Sequence, residues 1–197
     1  GTAYGGGIQV KHLLWIAVRD IGLSRVAETV RSPFRDFRIA PFYGCYILRP
    51  SWDLGFDDPE NPSSLEKIIR AVGGEPVAYA GRTKCCGFPI ILEKEAIAVA
   101  MAGANMKEAL DQGADFMVTP CPLCHMSLDI YQERAGRAVQ TALNLPILHL
   151  PQLLGLAMGI PAPDLGVSRH LISVDSIVTR IQPHNTRSSP LPSEPTT

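Results

Sequence analysis

The sequence has no surplus of charge. In 197 residues, 18 Lys and Arg stand against 19 Asp and Glu, a formal net charge of −1. That balance excludes a global electrostatic attraction for nucleic acid or for an anionic membrane, so no nucleic-acid partner is expected. Charged residues make up 19% and apolar ones 46%, which excludes an intrinsically disordered chain. Long hydrophobic runs are also lacking. The longest uncharged stretch, Ala138 to Pro163, is broken by Gln140, Asn144, His149, Gln152 and prolines, so no integral membrane segment is expected. The short apolar core of Lys11 to Asp20 is flanked by charges and has no cleavage site, unlike a signal peptide. No HExxH, Ser-His-Asp order or paired carboxylates occur, and Gly5-Gly6-Gly7 before Lys11 lacks phosphate-loop spacing and reads as linker.

Cysteine is sparse as well, at 5 residues, too few for a disulfide scaffold of this length and odd in number. Thiols used this way point to a reducing, cytoplasmic compartment and to a metal or redox role.

What is there is an alternation of short apolar strands and amphipathic helices. A helical region is expected over residues 8–31, interrupted at Gly22, with Ser24 capping its second part. Strands are expected at Phe37 to Tyr43, Pro76 to Ala80, Asp115 to Thr119 and Leu145 to His149. Between them lie helices over Leu65 to Val72 (capped by Ser63 or Ser64), residues 92–112, Pro122 to about Ala138, and Pro151 to Met158. Residues 46–62, rich in Pro, Gly and Asp, read as loop. Such alternation implies an α/β fold, a Rossmann-like open and mostly parallel sheet with helices on both faces. Ligands bind at the C-terminal edge of such sheets. From about Gln182 the chain is polar, rich in Pro, Ser and Thr, and expected to be disordered.

All five cysteines join one pattern: Cys45, a long gap, Cys85-Cys86-Gly87, a second long gap, then Cys121-Pro122-Leu123-Cys124. The strand reading puts three loops with five sulfurs at one sheet edge. Pro122 suits a first helical position, and the spacing of Cys121 and Cys124 sets both sulfurs on one side of a first turn whose free N–H groups stabilise thiolates. Gly87 allows close approach of backbone to a bulky inorganic core. An iron–sulfur cluster uses every cysteine. A structural zinc module would use four, and a dithiol oxidoreductase two. Of the other residues, His125 suits a supporting rather than a ligating role, and His149 a strand end with a satisfied hydrogen bond. Lys84, Arg82 and Arg49 are either counter-charges to a cluster or solvated loop charges, and Trp52 either covers the site or is exposed.

This constellation resembles the cysteine-rich CCG domain, and the surrounding YGCYILRP, KCCGFP, TPCPLCHMSLD and PILHLPQLLGLAMG resemble the B subunit of heterodisulfide reductase. The resemblance covers about residues 8–160. It implies an oxidoreductase subunit in which Cys45, Cys85, Cys86, Cys121 and Cys124 hold a non-cubane [4Fe-4S] cluster, zinc being the alternative metal. It implies a disulfide or other small redox substrate, and as partners an iron–sulfur C-type and a flavin-bearing A-type subunit. Related complexes oxidise succinate, glycolate, lactate or sulfur compounds. Members of this type carry two such domains in tandem. Residues 1–36 accordingly read as a helical connector from a first domain, 37–160 as the cysteine-rich domain and 161–197 as a C-terminal extension. Because it begins at Gly1 and holds one such domain, the chain reads as a fragment, expected to be inactive alone.

Overall fold

The computed structural model describes Ala3 and residues 5–181. Four short strands, β1 Arg38–Pro41, β2 Glu75–Pro76, β3 Phe116–Thr119 and β4 Ile147–His149, form one all-parallel sheet in the order β2-β1-β3-β4. The helices are α1 Leu13–Trp15, running through π-helical turns Ile16–Gly22 into α2 Leu23–Glu28, then α3 Ser51–Leu54, α4 Ser64–Ala71, α5 Glu95–Asp111, α6 Pro122–Ile130, α7 Gln132–Ala138, α8 Leu150–Ala157 and α9 Asp175–Ile181. The Rossmann-like α/β architecture is the one expected from the alternation of elements.

The two-residue period of the strands divides the protein into two cores. Ile39, Phe116, Val118 and Leu148 face one side, where they meet Val26 of α2, Leu65, Ile68 and Ile69 of α4, Leu153 of α8 and Ile177 of α9. Ala40, Met117 and Ile147 face the other, against Val99, Ala102 and Met106 of α5, Leu128 of α6 and Ala135 of α7. Burying a Leu or Ile completely contributes roughly 1.5–3 kcal/mol, so a strand buried on both faces has its register held twice over. Residues 13–28 and 161–181 share the first core through Leu14, Ala17, Val26, Val167 and Ile177.

Several local expectations change. The first helix begins at Leu13, and Val10 is 93% exposed, so the apolar period over residues 8–12 is not used. Gly22 does break the run, at φ 87, but α2 starts at Leu23 and no side chain caps it. Neither Ser63 nor Ser64 caps α4. The Asp57 carboxylate reaches over from the preceding loop and accepts from Ser63 N–H (3.0 Å) and Ser64 N–H (2.8 Å). The strand expected at 76–80 stops at Pro76, because Tyr79 turns inward to donate its hydroxyl to Pro41 O (2.9 Å) and Ala80 N–H bonds the Glu108 carboxylate (2.8 Å). The helix expected to about Ala138 splits at Tyr131. Beside the break, buried Gln132 accepts from Leu145 N–H (3.0 Å) and donates to Leu145 O (2.6 Å), satisfying the backbone that leads into β4. The α3 turn lies within the expected loop, and the tail from about 182 lies outside the described residues.

One partly buried polar knot ties the loop after β1 to α4. The Tyr43 hydroxyl donates to Glu66 and accepts from Leu65 N–H at 2.7 Å, and Arg82 donates to the same carboxylate at 2.5 Å. Burial, with the Glu66 charge beside it, pushes the Tyr43 hydroxyl pKa well up, so the group stays neutral. Tyr43→Phe leaves Leu65 N–H and one Glu66 lone pair without their partner. It should cost about 1–3 kcal/mol in urea unfolding; a midpoint like that of the parent protein contradicts the knot.

Candidate metal centre

Three loops bring the cysteines together at the C-terminal edge of the sheet. After β1 the chain stays paired for one more residue, Phe42 N–H donating to Val118 O (2.8 Å), and then turns through Gly44 into Cys45. After β3 it passes through Pro120 into Cys121 and α6. The third loop follows the 3-10 turn Ala80–Thr83 and is bonded to the first, Tyr43 N–H donating to Arg82 O (2.8 Å). Chain connections leave β1 and β3 in opposite directions along the sheet, so Cys45 and Cys121 flank its topological switch point.

The vicinal pair is held by its backbone. Asn105 donates to Cys85 O (3.0 Å) and Ser127 to Cys86 O (2.8 Å), which frees the sulfurs for other contacts. Cys45, Cys86, Cys121 and Cys124 line one small cavity of about 10 Å³ with Tyr46, Phe88, Pro89 and Leu123. Cys85 lies beside Cys45 and its sulfur accepts from Gly87 N–H at 3.3 Å. All five are free thiols; Cys86 and Cys124 are buried and the other three half-buried. Among the described residues no three His, Cys, Asp or Glu side chains surround a point suited to a single ion.

The sulfurs are electrically unequal. The Cys124 thiol, with one hydrogen to donate, neighbours both Cys121 and Cys86. Hydrogen bonding with it lowers the Cys121 pKa to about 6, with help from the first-turn N–H groups of Cys124 and Leu123, and lowers Cys86 to about 7. Cys124, as the donor, is pushed far up. Burial raises Cys45, and the neighbouring Cys85 and Cys86 sulfurs add to the rise. Cys86 and Cys121 are therefore the sulfurs that lean toward the thiolate, the form that binds iron or zinc. Gly44 makes the approach possible: at φ 70, a Cβ there would stand 2.7 Å from Cys124 Sγ. Gly87, at φ 85, has the Ala98 backbone where a side chain would go.

The surroundings revise several expectations. Arg82 is neither a counter-charge at the sulfurs nor a solvated loop charge, since it is bound to Glu66, Pro62 O (2.6 Å) and Asn61 (2.7 Å). Lys84 pairs loosely with Glu108 at 3.8 Å. Arg49 bonds Glu60 at 2.8 Å and stands in an open groove of about 470 Å³, with Cys45, Tyr46 and Trp52. Trp52 is 84% exposed and lines that groove without closing over the sulfurs. His125 contacts Ile147 O (3.2 Å) rather than a ligand position. His149 is indeed a satisfied strand-end residue, at 3.2 Å from Pro120 O. The sequence reading missed His12, which reaches the same carbonyl, His170, 4.7 Å from the His125 ring, and Asp129, which accepts from Leu171 N–H (2.8 Å). An Asp on an apolar helix face was the available signal for the last.

Residues 39–129 match the family described as the CCG cysteine-rich domain. The chain is 39% identical, over 175 residues, to the 8-methylmenaquinol:fumarate reductase membrane anchor subunit of Wolinella succinogenes, covering 89% of this chain and 61% of that one. It is 31% identical, over 187 residues, to a protein of Archaeoglobus profundus that is itself like the B subunit of heterodisulfide reductase (92% and 62%). Similarity also extends to the B subunit of a ferredoxin/F420H2-dependent CoB-CoM heterodisulfide reductase of Methanosarcina acetivorans, at 27% (92% and 61%). The chain thus spans about three fifths of the length of these relatives. Among solved structures, a hypothetical protein from Helicobacter pylori shares the fold with TM-score 0.59 at 20% identity, over 77% of this chain and 28% of that one. No helix of the described residues is long and apolar enough to cross a membrane.

Two outcomes follow from this geometry. Gly44→Ala should cost roughly 1–2 kcal/mol for its left-handed backbone and also displace Cys124. Unfolding, with thiol titration of the folded state, would show both, and wild-type stability with an unchanged Cys124 reactivity would refute the close approach. Burial holds the imidazoles of His12, His149 and His170 below their ordinary pKa of 6.5. A base with a depressed folded pKa contributes stability in full above its unfolded value and loses it as pH falls through the folded one. The thermal midpoint of metal-free protein should therefore drop between about pH 7.5 and about pH 5.5; a flat or rising midpoint would mean these rings are not held neutral.

Proposed function

We propose that this chain, whose residues 39–129 match the CCG cysteine-rich domain, is an electron-transfer subunit of an oxidoreductase complex of the heterodisulfide reductase type. In this reading Cys45, Cys85, Cys86, Cys121 and Cys124 hold a non-cubane [4Fe-4S] cluster. The observation that carries it is the convergence of all five cysteines of the sequence, from three loops, at one sheet edge. A zinc site takes four ligands and leaves one thiol without a role. A dithiol oxidoreductase accounts for Cys121, acidic and half-exposed, with buried Cys124 behind it, but gives Cys45, Cys85 and Cys86 no part.

The cluster, when bound, supplies one-electron transfer. The chain's own residues do the rest. The Cys124 and Leu123 amides favour the anionic sulfur of Cys121, and Phe88, Pro89, Leu123 and Tyr46 limit water at the sulfurs. The groove beside Cys45 offers an aromatic wall and the Arg49 guanidinium to a small redox partner. A disulfide is the partner suggested by the heterodisulfide reductase relatives. The Wolinella relative, named for a menaquinol:fumarate reductase, supports a second reading in which the same subunit serves a quinol- or dicarboxylate-linked complex. In either complex an iron–sulfur C-type subunit and a flavin-bearing A-type subunit would exchange electrons with it, on the cytoplasmic side.

Anaerobically purified or reconstituted protein should hold about four irons and four sulfides per chain, with an EPR signal in the oxidised form. Cys86→Ser and Cys85→Ser should each abolish or reshape that signal. One zinc and no iron after reconstitution would overturn the reading, and so would metal-free turnover of small disulfides that depends on Cys121 and Cys124 alone.

A further inference from the structure

The peptide that leads into Cys121 is gripped from two distant parts of the chain. The Pro120 carbonyl oxygen lies 3.2 Å from His12 Nε2 and 3.2 Å from His149 Nε2. In each ring the other nitrogen is already an acceptor. His12 Nδ1 takes Leu14 N–H at 3.1 Å, and the His149 ring takes the N–H of Gln152 in a capping box that Gln152 completes by accepting from His149 N–H (2.9 Å). Both Nε2 atoms must therefore carry the hydrogen, and both imidazoles are neutral donors with no freedom of tautomer. Two donors on one carbonyl turn its dipole toward the histidines. The next backbone groups are also held: Cys121 N–H approaches Thr119 Oγ1 (3.4 Å) and Cys121 O accepts from His125 N–H (3.0 Å).

The grip joins the first helical region to the site. His12 is the N-cap of α1. From the same region Trp15 packs on Phe56 (5.5 Å between rings), and Arg19 donates to Gly55 O (2.7 Å) and Phe56 O (2.9 Å), all on the loop that follows Cys45. Residues 12–19 thus touch the loops of two proposed ligands at once.

We propose that His12 and His149 are positioning residues for Cys121: paired neutral imidazoles that clamp the Pro120 carbonyl, set how Cys121 and the first turn of α6 face the other sulfurs, and make the N-terminal helical region part of the metal centre. The role toward a cluster rests on the iron–sulfur reading above; the clamp itself does not. Phe in place of either His keeps a ring and removes the donor, whereas Gln keeps an N–H near the Nε2 position.

The test uses the full chain with His12→Phe, His149→Phe and the matching Gln variants. In metal-free protein, the Leu123 and Cys124 amides of the folded Phe variants should exchange hydrogen roughly threefold to tenfold faster, the effect of one lost hydrogen bond, with amides of α5 unchanged. In reconstituted protein, the same variants should shift the EPR spectrum and midpoint potential, and the Gln variants should restore both. Should a Phe variant fail to fold, the Gln variant against wild type carries the exchange test. Unchanged exchange at Leu123 and Cys124 overturns the clamp. A potential and spectrum that Phe and Gln alter equally overturn a donor role in favour of packing. Wild-type protein that takes up no iron overturns the cluster reading, while the exchange result still decides the clamp.

Discussion

Five sulfurs in one small space pose an electrostatic problem, and the proton on Cys124 is the structure's answer to it. Two neighbouring thiolates at contact distance repel strongly where water is scarce. A neutral thiol beside them, with one hydrogen to donate, eases that repulsion, so Cys86 and Cys121 lean toward the anionic form. The arrangement needs Cys124 close to the Cys45 loop, and only a residue without a side chain at position 44 allows it. The positive end of α6 stabilises Cys121 from below, through the Leu123 and Cys124 amides, which have no partner within the helix.

The sheet supplies the convergence. Because β1 and β3 are adjacent and parallel while their connections diverge, the loops after them must open toward a common crevice. The third loop belongs to edge strand β2, which is short, and it needs help to reach the same place. Tyr43, Glu66 and Arg82 give that help from one side, and Asn105 and Ser127 from the other. The two cores then serve different ends. One packs the N-terminal helical region and α8 behind the sheet, where His12 and His149 emerge beneath Pro120. The other carries α5 and α6 and buries Cys86 and Cys124.

Much of this was legible in the sequence, for local reasons. Runs such as Asp115 to Thr119, apolar and bounded by turn residues, can bury both faces only inside a parallel sheet, and the five cysteines announced themselves by spacing. What was not legible depends on partners remote in sequence. Ser63 and Ser64, at the start of α4, satisfy every local rule for a cap, yet the Asp57 carboxylate supplies the acceptor. Val10 fits a helical period that has nothing to pack against. Arg82 beside two cysteines invites a role at the sulfurs until Glu66, sixteen residues back, claims it. His12 has no motif at all; its meaning lies in a carbonyl 108 positions away.

The exposed Trp52 has a consequence for watching this protein at work. The sequence has 2 tryptophans. Trp15 is lodged against Phe56 and Trp52 stands in solvent at the groove beside Cys45. Their emission should differ in colour and in access to quenchers, the exposed indole being the redder and more easily quenched. Trp52 lines the same groove as Cys45, so a chromophore seated among the sulfurs would have that indole as a neighbour. The protein therefore carries a built-in optical probe at the mouth of its own crevice, able to report occupancy there without any label.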